Sequence, residues 1–423
     1  MNQNQKFSFI GIIIWLICAL FFMYEFLLRT VLGTFEHPII HDLNLDLVTF
    51  AILSSTAYQM IYGIMQIPVG IITDKYGLKI SLFIAVVVCS IAVAGFGFTH
   101  AFDSAFAFRL LMGFGSSFGF ICLLMAVYDW MPRKNIGLFI GLSQFIGTMG
   151  PMIAAGPLNS LSNNSAAEWR YVFYTLGIVG IAIAILVLLV VRNNKDSIAN
   201  FQILRRPSKP GSSLVKLFSQ RQVWFIAIYS AAIYFTIEYL SENSGTKYMV
   251  LNGYTKDIAS YMITVAWLGY GIGCPLLGFI SDITSRRKNT MVFAAFCAII
   301  AAIIIIYFPI NIVITMGAFF FLGVGASGQS IGFAIMAERC NNSYLAAGLG
   351  LNNGMIMLVT SINAPIIGWL ISLFTNGGTT STADYQQAFI YIIAFISIAV
   401  FLSVFCIKET FCKSTKEITT LSY

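Results

Sequence analysis

Apolar residues in this chain run in long blocks rather than at the spaced positions of a half-buried helix. Twelve blocks of roughly 18 or more residues stand near residues 9–32, 48–72, 80–98, 104–128, 136–158, 171–191, 223–241, 258–280, 290–308, 312–336, 345–374 and 388–407. At 1.5 Å per residue, such a block crosses a hydrocarbon core of about 30 Å as a helix. The pattern predicts an all-α membrane protein with the lipid bilayer as its solvent. The longest polar stretch, "RNNKDSIANFQILRRPSKPGSSLVKLFSQR", divides the blocks six and six. Its Ser, Pro and Gly content is that of a linker, and "SSLVKLFSQ" is amphipathic enough to lie on a membrane surface. The expected organisation is an N-terminal bundle over 1–191, a linker over 192–221, a C-terminal bundle over 222–407 and a tail over 408–423.

Composition agrees. Of 423 residues, 58% are hydrophobic and 10% charged, against about 25% charged in soluble domains. A net charge of +7 could suggest nucleic acid, but its distribution argues otherwise. Of 24 Lys and Arg, all but Arg29, Arg109, Arg170, Lys247 and Lys256 fall at chain ends or in connections on the N-terminal side of the bilayer. That bias places both termini in the cytoplasm. The apolar run after Lys6 is too long for a leader and lacks a small-residue cleavage site, so it reads as the first span. None of the eight cysteines falls in an outer connection, which predicts no disulfide.

The two halves repeat. "GIITDKYGLK" follows the second span and "GFISDITSRRK" the eighth; "RLLMGFGSSFG" in the fourth is echoed by "FFLGVGASGQS" in the tenth. Internal repetition of this kind marks transporters with a site near the bilayer midplane. On these residues the chain resembles the major facilitator superfamily. The loop pattern G-x-x-x-D-(R/K)-x-G-x-(R/K) is matched by Gly70, Asp74, Lys75, Gly77 and Lys79, and in part by Gly278, Asp282 and Arg286. The resemblance implies two pseudo-symmetric six-helix bundles that rock about a central cavity, with gating by Asp74, Lys75, Asp282 and Arg286. "YEFLLR", "WMPRK", "LSENSGTKYM" and "INAPIIGWL" further resemble the phagosomal transporter branch of intracellular bacteria, which imports amino acids and other nutrients. Ser244 stands before Gly245 where that branch tends to carry Trp. This likeness implies a bacterial inner membrane protein acting as a monomer.

Charges inside spans are functional candidates by default. Glu25 and Arg29 share the first span, Arg109 the fourth, and Glu238 lies in the seventh with Glu242 one turn on. By resemblance these spans line the cavity, so two basic and three acidic groups occupy one slab. Glu25 and Arg29, four apart, could instead pair privately. A buried carboxyl lacking a full-time partner can carry a proton, with Glu242 and then Glu25 as candidates. Tyr24, Tyr58, Gln59, Gln144, Tyr234, Gln329, Asn352 and Asn353 could complete the pocket or simply bond helix to helix, and Trp267 and Tyr270 could wall it. His37 and His41 suggest a metal pair, but Pro38 between them is expected to disrupt the helix they need.

The expected function is proton-coupled uptake of a small polar metabolite by alternating access, with an amino acid first. Arg29 or Arg109 would hold its carboxylate, and Glu238 or Glu25 its ammonium. Rival readings are an organic anion or siderophore transporter, drug or metabolite efflux, and a transport-like receptor. No nucleophile with its base and no metal set is apparent, so neither an enzyme nor a cofactor is expected.

Overall fold

A computed structural model of the chain describes residues 8–132, 136–158, 166–193, 217–340, 345–375 and 378–412. Most of the expected linker, including all but the end of its amphipathic stretch, lies outside these residues, as does 413–423. Among the described residues, twelve helices are long and apolar enough to cross a membrane. They are α1 (Phe9–Thr34), α2 (Leu47–Gln66), α3 (Lys75–Gly97), α4 (Phe102–Trp130), α5 (Phe139–Leu158), α6 (Trp169–Val190), α7 (Arg221–Glu242), α8 (Lys256–Thr284), α9 (Arg287–Tyr307), α10 (Ile312–Arg339), α11 (Ala347–Thr375) and α12 (Thr382–Cys406). The end at which α1 begins is called the near end, and its opposite the far end.

Sequence chemistry sets the boundaries. Ser8 caps α1 by accepting from the Gly11 N–H at 3.4 Å. Asp46 opens α2 with a capping box, accepting from the Thr49 N–H at 2.7 Å; those hydrogen bonds hold its carboxyl below its ordinary range. Gly77, at φ 80°, breaks the helical path within the first residues of α3 in a conformation that few other residues tolerate. Asn243 leaves helical geometry at the end of α7 (φ −131°, ψ −138°), and a short helix, Gly245–Leu251, follows.

Burial sorts the helices. Some 83% of the apolar window of α7 is buried, against 33% in α6 and α12. Hence α7 is central, while α6 and α12 turn residues such as Ile178, Leu189 and Phe405 outward. Such a belt would be a liability in water and is the expected surface in lipid.

The repeat read from sequence is a packing repeat. A Cβ on Gly113 of α4 would collide with the Tyr58 carbonyl of α2, and one on Gly323 of α10 with the Ala266 carbonyl of α8. Two residues on, Gly115 meets Cys89 of α3 and Gly325 meets Ala298 of α9. Small residues let these backbones touch. Gly113→Val and Gly323→Val should each cost about 1–3 kcal/mol or more through overpacking. Thermal unfolding in detergent checks this, and an unchanged midpoint would refute the close-approach reading.

One local expectation fails. Pro38 does not disrupt a helix, because Glu36–Asp42 forms one with Pro38 in its first turn, where no intrahelical N–H bond is required. His37 and His41 are exposed on it.

Candidate functional site

Near the middle of the bundle lies a small cavity lined by Phe22, Phe26 and Arg29 of α1, Tyr62 of α2, Phe120 of α4, Gln144 of α5, Tyr234 of α7, Tyr270 of α8, Gln329 and Phe333 of α10, and Asn353 and Met357 of α11. Both halves contribute. Phe120 and Phe333, on the near-end side, are partly exposed, whereas Arg29 and Tyr234 are buried. Among the described residues, hydrogen bonds between the halves run from the far end, where Ser54 meets Asn243, down to Gln66 and Asn353 (2.8 Å).

Among the described residues, Arg29 is the one charged residue of the lining. Its Nε lies 2.8 Å from Glu238 Oε1 and 4.0 Å from Glu242 Oε1. Nη2 donates to the Tyr234 hydroxyl at 3.1 Å, Nη1 reaches the Met357 sulfur at 3.4 Å, and the guanidinium lies 3.7 Å over the Phe26 ring. The private pair with Glu25 that the i,i+4 spacing allowed does not form. Glu25 instead accepts from the Tyr58 hydroxyl at 3.1 Å and packs against Gly119. Local i,i+4 spacing loses to a partner in the other half, because Arg29 is long enough to reach α7 and a desolvated charge gains most from a close opposite charge.

Glu238 and Glu242 are both fully buried. Glu238 Oε2 has no hydrogen-bond partner among the described residues. Glu242 accepts from Ser55 at 2.7 Å and from the Gln59 amide at 2.7 Å. Neither Gln59 nor Glu242 lines the cavity; they sit just beyond it toward the far end. Arg109 also faces away from the cavity. Its donors meet four backbone carbonyls, those of Leu28, Arg29, Leu53 and Ser54, so it neutralises no carboxylate directly.

The remaining residues singled out in the sequence divide clearly. Gln144, Tyr234, Gln329 and Asn353 reach the cavity wall, where Tyr270 donates to Gln329 at 2.7 Å. Tyr24 donates to the Leu176 carbonyl of α6 at 2.8 Å, and Tyr58 bonds Glu25; both are interhelical ties. Asn352 is fully buried without a hydrogen-bond partner among the described residues, and it is not on the wall. Trp267 stands behind the wall, bonded to Ser241 and packed on Phe26 and Tyr234 at 5.5 and 6.1 Å. Phe22, Phe26, Tyr62, Phe120, Phe333 and Met357 went unnoticed in the sequence. As letters they match ordinary core.

At the near end, Asp282 pairs with Arg287 at 2.6 Å rather than with Arg286, whose guanidinium lies 4.9 Å over the Phe411 ring. Arg287 also bridges to Glu338 of α10 at 3.0 Å. The turn at Ser285, with φ 50°, swings the first arginine outward. Lys75 is exposed with its amine 5.1 Å over the Tyr76 ring, and the side chain of Asp74 lies outside the described residues.

Known proteins share this architecture. A D-xylose-proton symporter structure aligns with a TM-score of 0.76 at 15% identity, covering 95% of this chain and 99% of that one. A bacterial homolog of the human lysosomal transporter Spinster, inward-facing and unoccupied, aligns with a TM-score of 0.75 at 16% identity over 94% and 97%. In sequence, the hexuronate transporter of Bacillus subtilis (strain 168) is 24% identical over 254 residues, 58% of each chain. Thus the match spans under two thirds of that relative's length. The probable galactarate/D-glucarate transporter of Escherichia coli (strain K12) is 24% identical over 425 residues, 89% of each chain. The Major Facilitator Superfamily profile matches residues 14–251 and again 244–416. With twelve spanning helices, a repeated glycine packing and a profile match over nearly the whole length, the chain belongs to the major facilitator superfamily.

Proposed function

We propose that this protein is a secondary transporter that takes up a small organic acid together with protons by alternating access. The observation that carries the reading is Arg29, a buried cation on the cavity wall whose partner, Glu238, can be exchanged for another carboxylate. In this scheme the substrate carboxylate displaces Glu238 from the guanidinium, and Glu238 takes up a proton. One anion and one proton enter together, so the charge of the buried cluster stays constant. An uncompensated charge there would cost several kcal/mol, which makes binding and protonation conditional on each other.

The lining supports a particular substrate shape. Among the described residues Arg29 is the one cation on the wall, so a single carboxylate is matched and a second would face amides and rings. Gln144, Gln329 and Asn353 offer hydroxyl partners, and Phe22, Phe26, Phe120 and Phe333 offer flat apolar faces. A hydroxylated monocarboxylate fits these groups best. A relative bearing the name of a hexuronate transporter favours a hydroxylated monocarboxylate, whereas one bearing the name of a galactarate/D-glucarate transporter, whose named substrates are dicarboxylates, supports only the broader class of hydroxylated acids. An amino acid is the second reading, and it has its own observation: the unpartnered Glu238 Oε2 could accept from an ammonium group. It would fit the resemblance to the phagosomal branch. Uptake into proteoliposomes with an acidic exterior, across a panel of uronates, aldonates, aldarates and amino acids, separates the two. Accumulation of amino acids alone would overturn the organic-acid assignment.

In a bacterial inner membrane, the basic connections would place the near end in the cytoplasm. Asp257 at the far end and Asn289 at the near end are both exposed. Asp257→Cys should react with an impermeant thiol reagent in intact cells, and Asn289→Cys should react only after lysis. The reverse pattern would invert the orientation.

A further inference from the structure

Arg109 is among the largest fully buried side chains of the protein, yet it lies neither on the cavity wall nor beside a carboxylate. Its position has a different logic. Residues Ile52–Thr56 of α2 wind as a π turn, an irregularity common at functional sites. Arg109 Nε donates to the Leu53 carbonyl at 3.2 Å and Nη2 to the Ser54 carbonyl at 2.6 Å. Its other contacts go to α1, with Nη1 on the Leu28 carbonyl at 2.8 Å and Nη2 on the Arg29 carbonyl at 3.3 Å. The guanidinium also lies 4.6 Å over the Tyr58 ring. A planar five-donor fork is suited to tying two backbones together.

The tied turn is what reaches the other half. Ser54 donates to Asn243 Oδ1 at 2.9 Å, and Asn243 Nδ2 donates to Ser55 at 3.1 Å. Ser55 donates to Glu242 Oε2 at 2.7 Å, and Gln59, one turn on, donates to both Glu242 oxygens at 2.7 Å. The acceptors sit where α7 breaks, at Asn243. All of these contacts cross between the halves at the far end, and opening that end must part every one of them.

We infer that Arg109 is a positioning residue that fixes the π turn of α2, so that Ser54, Ser55 and Gln59 latch Glu242 and Asn243 and hold the far end shut. A proton on Glu242 removes its negative charge and turns one oxygen into a donor, so the charge-assisted bonds from Ser55 and Gln59 weaken. The charged groups around it are Arg29 at 4.0 Å, Glu238 one turn back on α7, and Arg109 behind the π turn. Acid on the far side therefore releases the latch. This assignment rests on alternating access but on no choice of substrate.

The test is made without substrate, so that its failure is distinct from a wrong substrate. Spin labels are placed at Asp103 and Val313, exposed at the far ends of α4 and α10, and the distance distribution is recorded in lipid nanodiscs. The parent should show one short-distance population at neutral pH. Ser54→Ala with Ser55→Ala should shift the closed-to-open ratio by roughly tenfold or more, the order expected for losing several buried hydrogen bonds. Arg109→Lys should move it the same way, since an ammonium cannot span four carbonyls. Lower pH should move the parent but not Glu242→Gln. An unchanged distribution in the double serine variant would overturn the latch, even if Arg109 variants fail to fold. Unmoved distances in a folded Arg109→Lys would overturn its role in positioning the π turn.

Discussion

Replacing Arg29 by glutamine should weaken binding of the transported acid by at least about 100-fold, roughly 2.7 kcal/mol. A glutamine offers one weak donor pair where the guanidinium offers a charged fork, and truncating one side of a buried charged pair typically costs 2–5 kcal/mol. The same change strands Glu238, which is fully buried with Oε1 2.8 Å from Arg29 Nε. Breaking such a pair destabilises by about 3–5 kcal/mol, so lost binding could be confused with lost fold. Arg29→Gln combined with Glu238→Gln removes both charges and separates the two effects. Thermal unfolding of the double variant should return toward that of the parent, while titration with the acid should still show no binding. Recovered binding in the double variant would demote Arg29 to a neutraliser of Glu238.

The second large effect belongs to Glu238→Gln alone. Its amide keeps the shape but can no longer exchange a proton, and it no longer competes with the substrate for Arg29. Binding should therefore tighten by about tenfold or more, corresponding to some 1.4 kcal/mol of competition removed. The substrate-free protein, with an unpaired Arg29, should be less stable, and added substrate should raise its unfolding temperature more than in the parent. Exchange of internal for external substrate should persist, because it needs no net proton movement. Accumulation against a gradient should vanish. If accumulation survives, the coupling proton resides elsewhere, on Glu242 or on Glu25.

The twelve spans were legible because each apolar run is a self-sufficient signal. The glycine repeat was equally legible, since close backbone approach leaves a letter in the sequence. The partners of the buried charges were not. Arg29 has Glu25 one turn away, and local spacing offers no way to rank that neighbour against Glu238, some two hundred positions on. Arg109 is a stronger case. Its partners are four carbonyl oxygens, which every residue possesses, and a π turn that no residue pattern announces. The cavity rings were hidden by abundance: Phe22, Phe26, Phe120 and Phe333 are four of 37 phenylalanines, most of which only pack. The partner of Asp282 was hidden in a similar way. Two arginines stand side by side, and the left-handed turn at Ser285 decides which one turns inward.

The central claim is that a substrate carboxylate and a proton are exchanged together at the Arg29–Glu238 pair. It is tested most directly by measuring proton and substrate fluxes in the same proteoliposomes, without a pH gradient, during a pulse of D-glucuronate as a probe hydroxylated monocarboxylate. Protons should enter with the acid in fixed proportion, and Glu238→Gln should abolish proton entry while leaving exchange. Uptake of the acid with no accompanying proton signal, or a proton signal unchanged in Glu238→Gln, would contradict it.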